Sequence, residues 1–439
     1  MDFEQSKRNV SSKTSSKLRE MLKSIDLANA DIAKERGALS ARSRIDRFLD
    51  EGTFVEIGTY VKNRFDSNDF SGVICGYGAL NGRLVFVFSH DYERQTGGYD
   101  EFYVKKILSL YDAALKNGAP IVGIFDSSVK DCSNDIVSLI SIGKITKAVS
   151  DASGIIPQVA LVFGECDNEL LSLVSMFDFV IDSSKDSYLI SKIATFVEEN
   201  EYAALHRASL LLDRLPQNNA EGTLCIDNRS NINRMIDKSD FAKSIDIIKL
   251  INRISDNNDL LEVYSDHAPE MVTGFIFVSG MSVGVCASRN YDGSNILTAE
   301  SMKKASRFVC FCDSFNIPLL TLVECSEFEK SVDSLKEMST LAFSYSSSTN
   351  AKVTVMIEDM SKLPFIIMGS KSLGSDIVIA IERNEGDEMI AEAAMYGEVD
   401  DIIDLSEIRK RICAAFEMLN SKSTLPFAKK KSNYTIRGW

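Results

Sequence analysis

The feature that most restricts how this chain can fold is that it carries one pattern twice. When "CGYGALNGRLVFVFS" (75–89) is set above "TGFIFVSGMSVGVCAS" (273–288), Gly76 falls on Gly274 and Gly82 on Gly280, each 198 residues on. At the same offset Pro120 of "GAPIVGIF" meets Pro318 of "NIPLLTLV", and Asp178 of "FDFVID" meets Asp376 of "SDIVIA". Four matches at one spacing across about a hundred residues mark a duplication.

Each copy reads alike. Two short strands meet at an "NG" or "SG" turn, which is hairpin chemistry. An amphipathic helix follows, "DEFYVKKILSLYDAALKNG" or "TAESMKKASRFVCFCDSFN", with apolar residues at three- and four-residue spacing. A β-branched strand, a helix and another strand ("PQVALVF" or "KVTVMI") complete the unit. This order predicts ββα units on a largely parallel sheet with both faces covered.

The spacing divides the chain into a first domain over 1–212, a polar, Asn-rich linker over 213–240 and a second domain over 241–439. A long polar helix is expected up to about Leu49. A terminal helix is expected over 404–420, with Asp404 or Ser406 at its start and Ile408, Ile412, Ala415, Phe416 and Leu419 on its apolar face.

Composition removes several functional classes. A formal net charge of −14 repels nucleic acid and anionic membrane, and the basic stretches at the two ends read as solvated termini. The nine cysteines sit among apolar residues, which is reduced, intracellular usage. The three histidines have no metal-ligand spacing, so no metal site is expected. The first twenty residues lack an apolar signal segment, and no window reaches the roughly 18 to 20 apolar residues of a membrane span. A cytoplasmic protein is expected.

Five stretches then carry a family resemblance: "ARSRIDRFLDEGTFVEIG", "GVICGYGALNGRLVFVFSHDYERQTGG", "ASGIIPQVALVFGEC", "RFVCFCDSFNIPLLTLVE" and "YGEVDDIIDLSEIRKRICAAFEMLNSK". In this order, over nearly the whole chain, they resemble the β-type carboxyltransferase subunits of biotin-dependent acyl-CoA carboxylases and decarboxylases, in the propionyl-CoA and methylmalonyl-CoA branch. The resemblance implies an α/β fold built as a tandem duplication of crotonase-like (ClpP/crotonase) ββα domains. It implies acyl-CoA as substrate on the first domain and carboxybiotin on the second, with dimers and often hexamers, and no covalent cofactor here: biotin arrives from a carrier, carboxylase or decarboxylase partner.

The same resemblance assigns the site. The first catalytic turn, D-S-G-G-A-R in the family, is here Asp126, Ser127, Ser128, Val129, Lys130 and Asp131. The second, G-P-C-A-G-G-A, keeps Gly164 and Cys166 but has Glu165, Asp167, Asn168 and Glu169 elsewhere. Ser127, Ser128, Gly164 and Cys166 are therefore the family-position candidates for catalysis. Cys166 also reads as a small buried residue, since no histidine lies near it in sequence. Gly97 and Gly98 stand at the family's acyl-pocket glycine pair, where a plain turn explains them equally well. On the biotin side only Phe328 is kept from P-G-F-x-P-G, and "MSKLP" (360–364) replaces a Y-G-G-A-Y turn.

These departures bear on activity. One lost oxyanion donor costs about 3 kcal/mol of transition-state stabilisation, and an unpaired carboxylate about 4 Å from an enolate adds roughly 4 kcal/mol of repulsion at an effective dielectric of 20. Three readings follow: an active carboxyltransferase subunit, a degenerate subunit with a structural or regulatory role beside an active paralogue, and a crotonase-fold protein using Glu165 or Glu169 as a general base. The resemblance favours the first. The altered turns favour the second.

Overall fold

Both copies turn at a pair of residues with positive φ, Asn81 and Gly82 in the first and Ser279 and Gly280 in the second. That is the turn whose twist matches a two-residue hairpin. In each copy one carboxylate accepts both turn N–H groups: Asp50 from Asn81 (3.0 Å) and Gly82 (2.8 Å), Asp256 from Ser279 (3.1 Å) and Gly280 (2.7 Å). The repeat therefore extends to an acceptor that the glycine alignment does not show.

The computed structural model describes residues 2–63, 69–94, 98–127, 135–164, 166–184, 188–226, 230–241, 245–357, 363–382 and 388–422. The chain divides into two units, Met1–Asp213 and Arg214–Trp439.

The first unit opens with helices α1 (Asp2–Glu35) and α2 (Ala41–Phe48). Strands β1 (Val55–Ile57), β2 (Val73–Leu80) and β3 (Arg83–His90) lead to α3 (Glu101–Asn117). Then β4 (Ile121–Phe125), α4 (Ile136–Ala152), β5 (Gln158–Val162), α5 (Asn168–Val174) and β6 (Phe179–Asp182) alternate. The unit closes with α6 (Tyr188–Ile193), β7 (Phe196–Val197) and α7 (Glu201–Leu212). The sheet runs β1 to β7 in chain order, antiparallel through β3 and parallel from there on.

The second unit repeats this. It has α8 (Ile247–Ile254), β8 (Leu261–Val263), β9 (Met271–Val278), β10 (Met281–Ser288), β11 (Ile296–Leu297) and α9 (Ala299–Ser314). After these come β12 (Leu319–Val323), β13 (Glu327–Phe328), α10 (Val332–Ser347) and β14 (Lys352–Met356). Last are α11 (Leu363–Ile367), β15 (Ile377–Ile381), α12 (Glu388–Met395), β16 (Asp401–Ile403) and α13 (Ile408–Leu419). The main sheet is ordered β16-β15-β14-β12-β10-β9-β8, while β11 and β13 form a separate parallel pair.

The duplicated residues have physical roles. A Cβ on Gly76 would lie 2.4 Å from Val55 O, and one on Gly274 2.5 Å from Leu261 O, so the neighbouring edge strand can approach only a glycine. Asp178 accepts from the N–H of Gln158 (2.9 Å) and Asp376 from that of Lys352 (2.8 Å), fixing the start of β5 and of β14. Lys106 and Lys304, also 198 residues apart, are both buried and donate to backbone carbonyls, Val73 O at 2.6 Å and Tyr264 O at 2.7 Å.

Three boundaries differ from expectation. The N-terminal helix is two helices, because Gly37 turns left-handed (φ 73°) and Ser40 caps α2 through Ser43 N–H. The terminal helix begins at Ile408, after a 3-10 turn capped by Asp404. Of the stretch read as linker, 213–240, the described residues from Arg214 on belong to the second unit: Ile226 N–H donates to Gly280 O (2.8 Å), Ile236 is 3% exposed in its core, and Arg234 donates to Arg253 O in α8 and to Ser255 O just after it. Its polar composition conceals these few buried anchors.

Candidate functional site

In a parallel sheet the carboxyl ends of the strands share one edge, where α/β folds place their ligands. In the first unit that edge brings together His90 at the end of β3, Asp126 and Ser127 after β4, Gly164, Cys166 and Asp167 after β5, and Asp182 at the end of β6.

Asp126 is the electrostatic centre. Its Oδ2 is 2.7 Å from Arg44 Nη2 and 3.0 Å from Arg36 Nη2. Arg44, itself 1% exposed, also makes a two-pronged pair with Glu201 at 2.8 and 2.9 Å. Arg36 lies over the Tyr92 ring at 3.6 Å. Burial pushes the Asp126 carboxyl up, but the two guanidiniums outweigh it and hold the group below its ordinary value. Gly164 is required beside it: a Cβ there would sit 2.2 Å from Asp126 Oδ1.

Ser127 is 2% exposed, and its hydroxyl lies 3.1 Å from the phenol of Tyr99. Tyr99 N–H donates to Ser138 Oγ (2.8 Å), which in turn donates to Asp135 Oδ2 (2.6 Å) in the N-terminal turn of α4. Gly98, at φ 117°, fits flush there, since its Cβ would come 2.5 Å from Ser138 Oγ. The structure thus joins two residues that sequence could only place separately, Gly98 and Ser127.

Beneath them His90 is fully buried, with Nε2 2.6 Å from the Tyr103 hydroxyl. Burial above all lowers its pKa to about 3, so the ring is neutral at physiological pH. Cys166 has its thiol pushed well up, by burial first and then by Asp167, Asp126 and Asp182. It is held as a thiol, not a thiolate nucleophile.

Of the three carboxylates at the altered positions of the second turn, Glu165, Asp167 and Glu169, Asp167 serves as the N-cap of α5, accepting from Leu170 N–H at 2.9 Å. Glu169 is half-buried in the first turn of α5, while Glu165 lies outside the described residues, as do Ser128, Gly97 and residues 129–134.

The second unit has a matching edge. Glu324 stands 198 residues after Asp126, and its carboxylate accepts from Asn290 N–H at 2.7 Å. Ser288 Oγ accepts from both Glu324 N–H and Cys325 N–H at 3.0 Å. Phe328, half-buried, pairs with Leu297 in the small β11–β13 ladder just beyond β12. Of "MSKLP", residues 360–362 lie outside the described set, and Leu363 and Pro364 begin α11.

Sequence reasoning did not find the Arg36 and Arg44 partners of Asp126, nor Tyr99 or His90. Arg44 sits in the "ARSRID" stretch, but its pairing with a residue 82 positions on leaves no local signal. Among the described residues no helix is long and apolar enough to cross a membrane.

A carboxyl transferase domain model matches residues 33–192 and 184–395. The propionyl-CoA carboxylase beta chain of Roseobacter denitrificans is 30% identical, covering 92% of this chain and 95% of its own length. The methylmalonyl-CoA decarboxylase subunit alpha of Propionigenium modestum is 28% identical, with coverage of 91% and 94%. Among solved structures, a transcarboxylase 12S hexamer with methylmalonyl-coenzyme A and methylmalonic acid bound superposes with a TM-score of 0.84 at 27% identity, over 96% of this chain and 98% of that one.

Proposed function

Since the chain belongs to the carboxyl transferase domain family, as a β-type carboxyltransferase subunit of the biotin-dependent acyl-CoA carboxylases and decarboxylases, we propose that it moves CO2 between N1 of a biotin carried on another chain and the α-carbon of a propionyl-CoA-class thioester. The observation that carries this reading is the match of both units, end to end, to a structure holding methylmalonyl-coenzyme A.

In this reading the acyl side lies at the carboxyl ends of β4 and β5, with Ser127, Ser128, Gly164 and Cys166 as the catalytic candidates and Gly97 and Gly98 as the acyl-pocket candidates. Phe328 stands on the biotin side. As CO2 joins the α-carbon, the proton leaving that carbon ends on biotin N1. The protein's part is to bear the negative charge that passes through the thioester oxygen, which falls to backbone N–H groups, and every residue but proline supplies one.

The paired state of Asp126 and the capping role of Asp167 favour activity over the degenerate alternative. Asp126 is held between two guanidiniums, and Asp167, one of the carboxylates at the altered second turn, is turned to the N-terminus of α5. A biotin carrier or carboxylase subunit, association with further carboxyltransferase-type chains, and cytoplasmic residence complete the proposal.

The test is methylmalonyl-CoA consumption by the purified chain, with and without free biotin. Biotin-dependent conversion to propionyl-CoA is expected. Binding without turnover would instead support the degenerate subunit, and biotin-independent thioester chemistry the general-base reading.

A further inference from the structure

One hydrogen-bonded path runs from the N-terminal turn of α4 to the residues just after β4, and it passes through Tyr99. Asp135 holds Ser138 Oγ at 2.6 Å, Ser138 Oγ accepts Tyr99 N–H at 2.8 Å, and the Tyr99 hydroxyl reaches Ser127 Oγ at 3.1 Å. Tyr99 is 0% exposed, Ser138 0% and Ser127 2%, so water does not compete for these bonds.

The ring has little freedom. It packs against Tyr103 at a centroid distance of 5.4 Å and against His90 at 6.4 Å, and its backbone is set by Gly98, where no side chain would fit. A buried tyrosine held at both backbone and ring presents its hydroxyl at one point in space. That point is the first serine of the turn after β4.

We propose that Tyr99 is a positioning residue of the acyl side: it fixes Ser127, the second residue after β4, by tying it to the start of α4. The inference rests on the acyl-CoA reading of this edge and deepens it. Without the phenol hydroxyl the Ser127 hydroxyl loses a buried partner, and Ser127 can settle in more than one arrangement. Tyr99 itself need not touch substrate.

The experiment compares Tyr99→Phe, Ser127→Ala and the double variant with the wild-type chain. Tyr111→Phe is the control, because it removes a buried phenol bond to Gln158 (3.1 Å) at the opposite end of the sheet. Amide hydrogen exchange is followed in the peptide covering 119–127, and methylmalonyl-CoA affinity by calorimetry.

Tyr99→Phe should speed exchange at 126–127 and weaken binding by roughly five-fold, as the loss of one buried hydrogen bond would. The double variant should bind no more weakly than the poorer single variant, because both remove the same bond. Tyr111→Phe should lower the melting temperature and leave both readouts unchanged.

Unchanged exchange in Tyr99→Phe, effects that multiply in the double variant, or equal effects from Tyr111→Phe would each overturn the positioning role. A wild-type chain that does not bind methylmalonyl-CoA would overturn the acyl-CoA reading, and this role with it. Binding by wild type with an unchanged Tyr99→Phe affinity would overturn the role alone.

Discussion

At the scale of single residues, the buried polar groups at the carboxyl edge of the first unit are held by close packing against named partners. Gly164 and Asp126 are the tightest case. Gly164→Ala should force the Asp126 carboxylate off Arg44 or shift the turn, costing about 1–3 kcal/mol as overpacking does; denaturant unfolding measures this. A loss under about 0.5 kcal/mol would mean the turn yields freely. His90 gives a pH signature. Its folded pKa of about 3 lies below the ordinary 6.5, so between these values the unfolded chain binds the extra proton and stability falls as pH falls. The loss approaches about 1.4 kcal/mol per pH unit within that window. His90→Gln should therefore show a shallower acid-side decline than wild type in urea melts between pH 6.5 and 4, and parallel declines would refute the buried neutral ring. Asp126, Gly164 and Ser127 could be named from sequence, but the guanidiniums and the phenol that act on them could not.

Among elements, the two hairpins test the duplication energetically. Asp50 and Asp256 hold equivalent turns, but only Asp256 also pairs with a buried cation, Arg409, at 2.7 Å with both side chains 0% exposed. Asp50→Ala should cost about 1 kcal/mol for its turn bonds. Asp256→Ala should cost about 3–5 kcal/mol, because it leaves the Arg409 charge buried without its carboxylate. Equal losses by chemical denaturation would show that Arg409 finds another partner. Asp404 was named from sequence and its side chain caps a 3-10 turn there, while Asp100 and Thr298, which open the two repeated helical stretches, cap their helices as well. The break at Gly37 went unread although its glycine and the Ser40 cap are local signals, and the anchoring of 214–240 left none, because it depends on which apolar residues find a surface to bury against.

Across the whole molecule, the two units carry pH responses of the same sign in different windows. His90 loosens the first unit in acid. In the second, burial above all lowers the Lys304 and Lys352 amines to about 8, below the ordinary 10.5. Between pH 8 and 10.5 the unfolded chain then binds more protons, so stability from these groups rises with pH. Native-state hydrogen exchange corrected for intrinsic rates should show protection falling in strands β3 to β5 of the first unit from pH 6.5 to 4, and the paired substitution Lys304→Met and Lys352→Met should make the pH 8 to 10 response of the second unit less positive than in the wild-type chain. An unaltered response in that variant would count against the lysine assignment. By itself the sequence determined the duplication, the hairpin turns, the alternation of strand and helix and the family, because these are written in spacing and in residue types that restrict the backbone locally. Only the tertiary structure decided that Asp126 is neutralised by Arg36 and Arg44, that Asp167 caps a helix, and that Tyr99 reaches Ser127. Those outcomes depend on distances between residues far apart in the chain, and burial magnifies each charge or hydroxyl that the fold brings together.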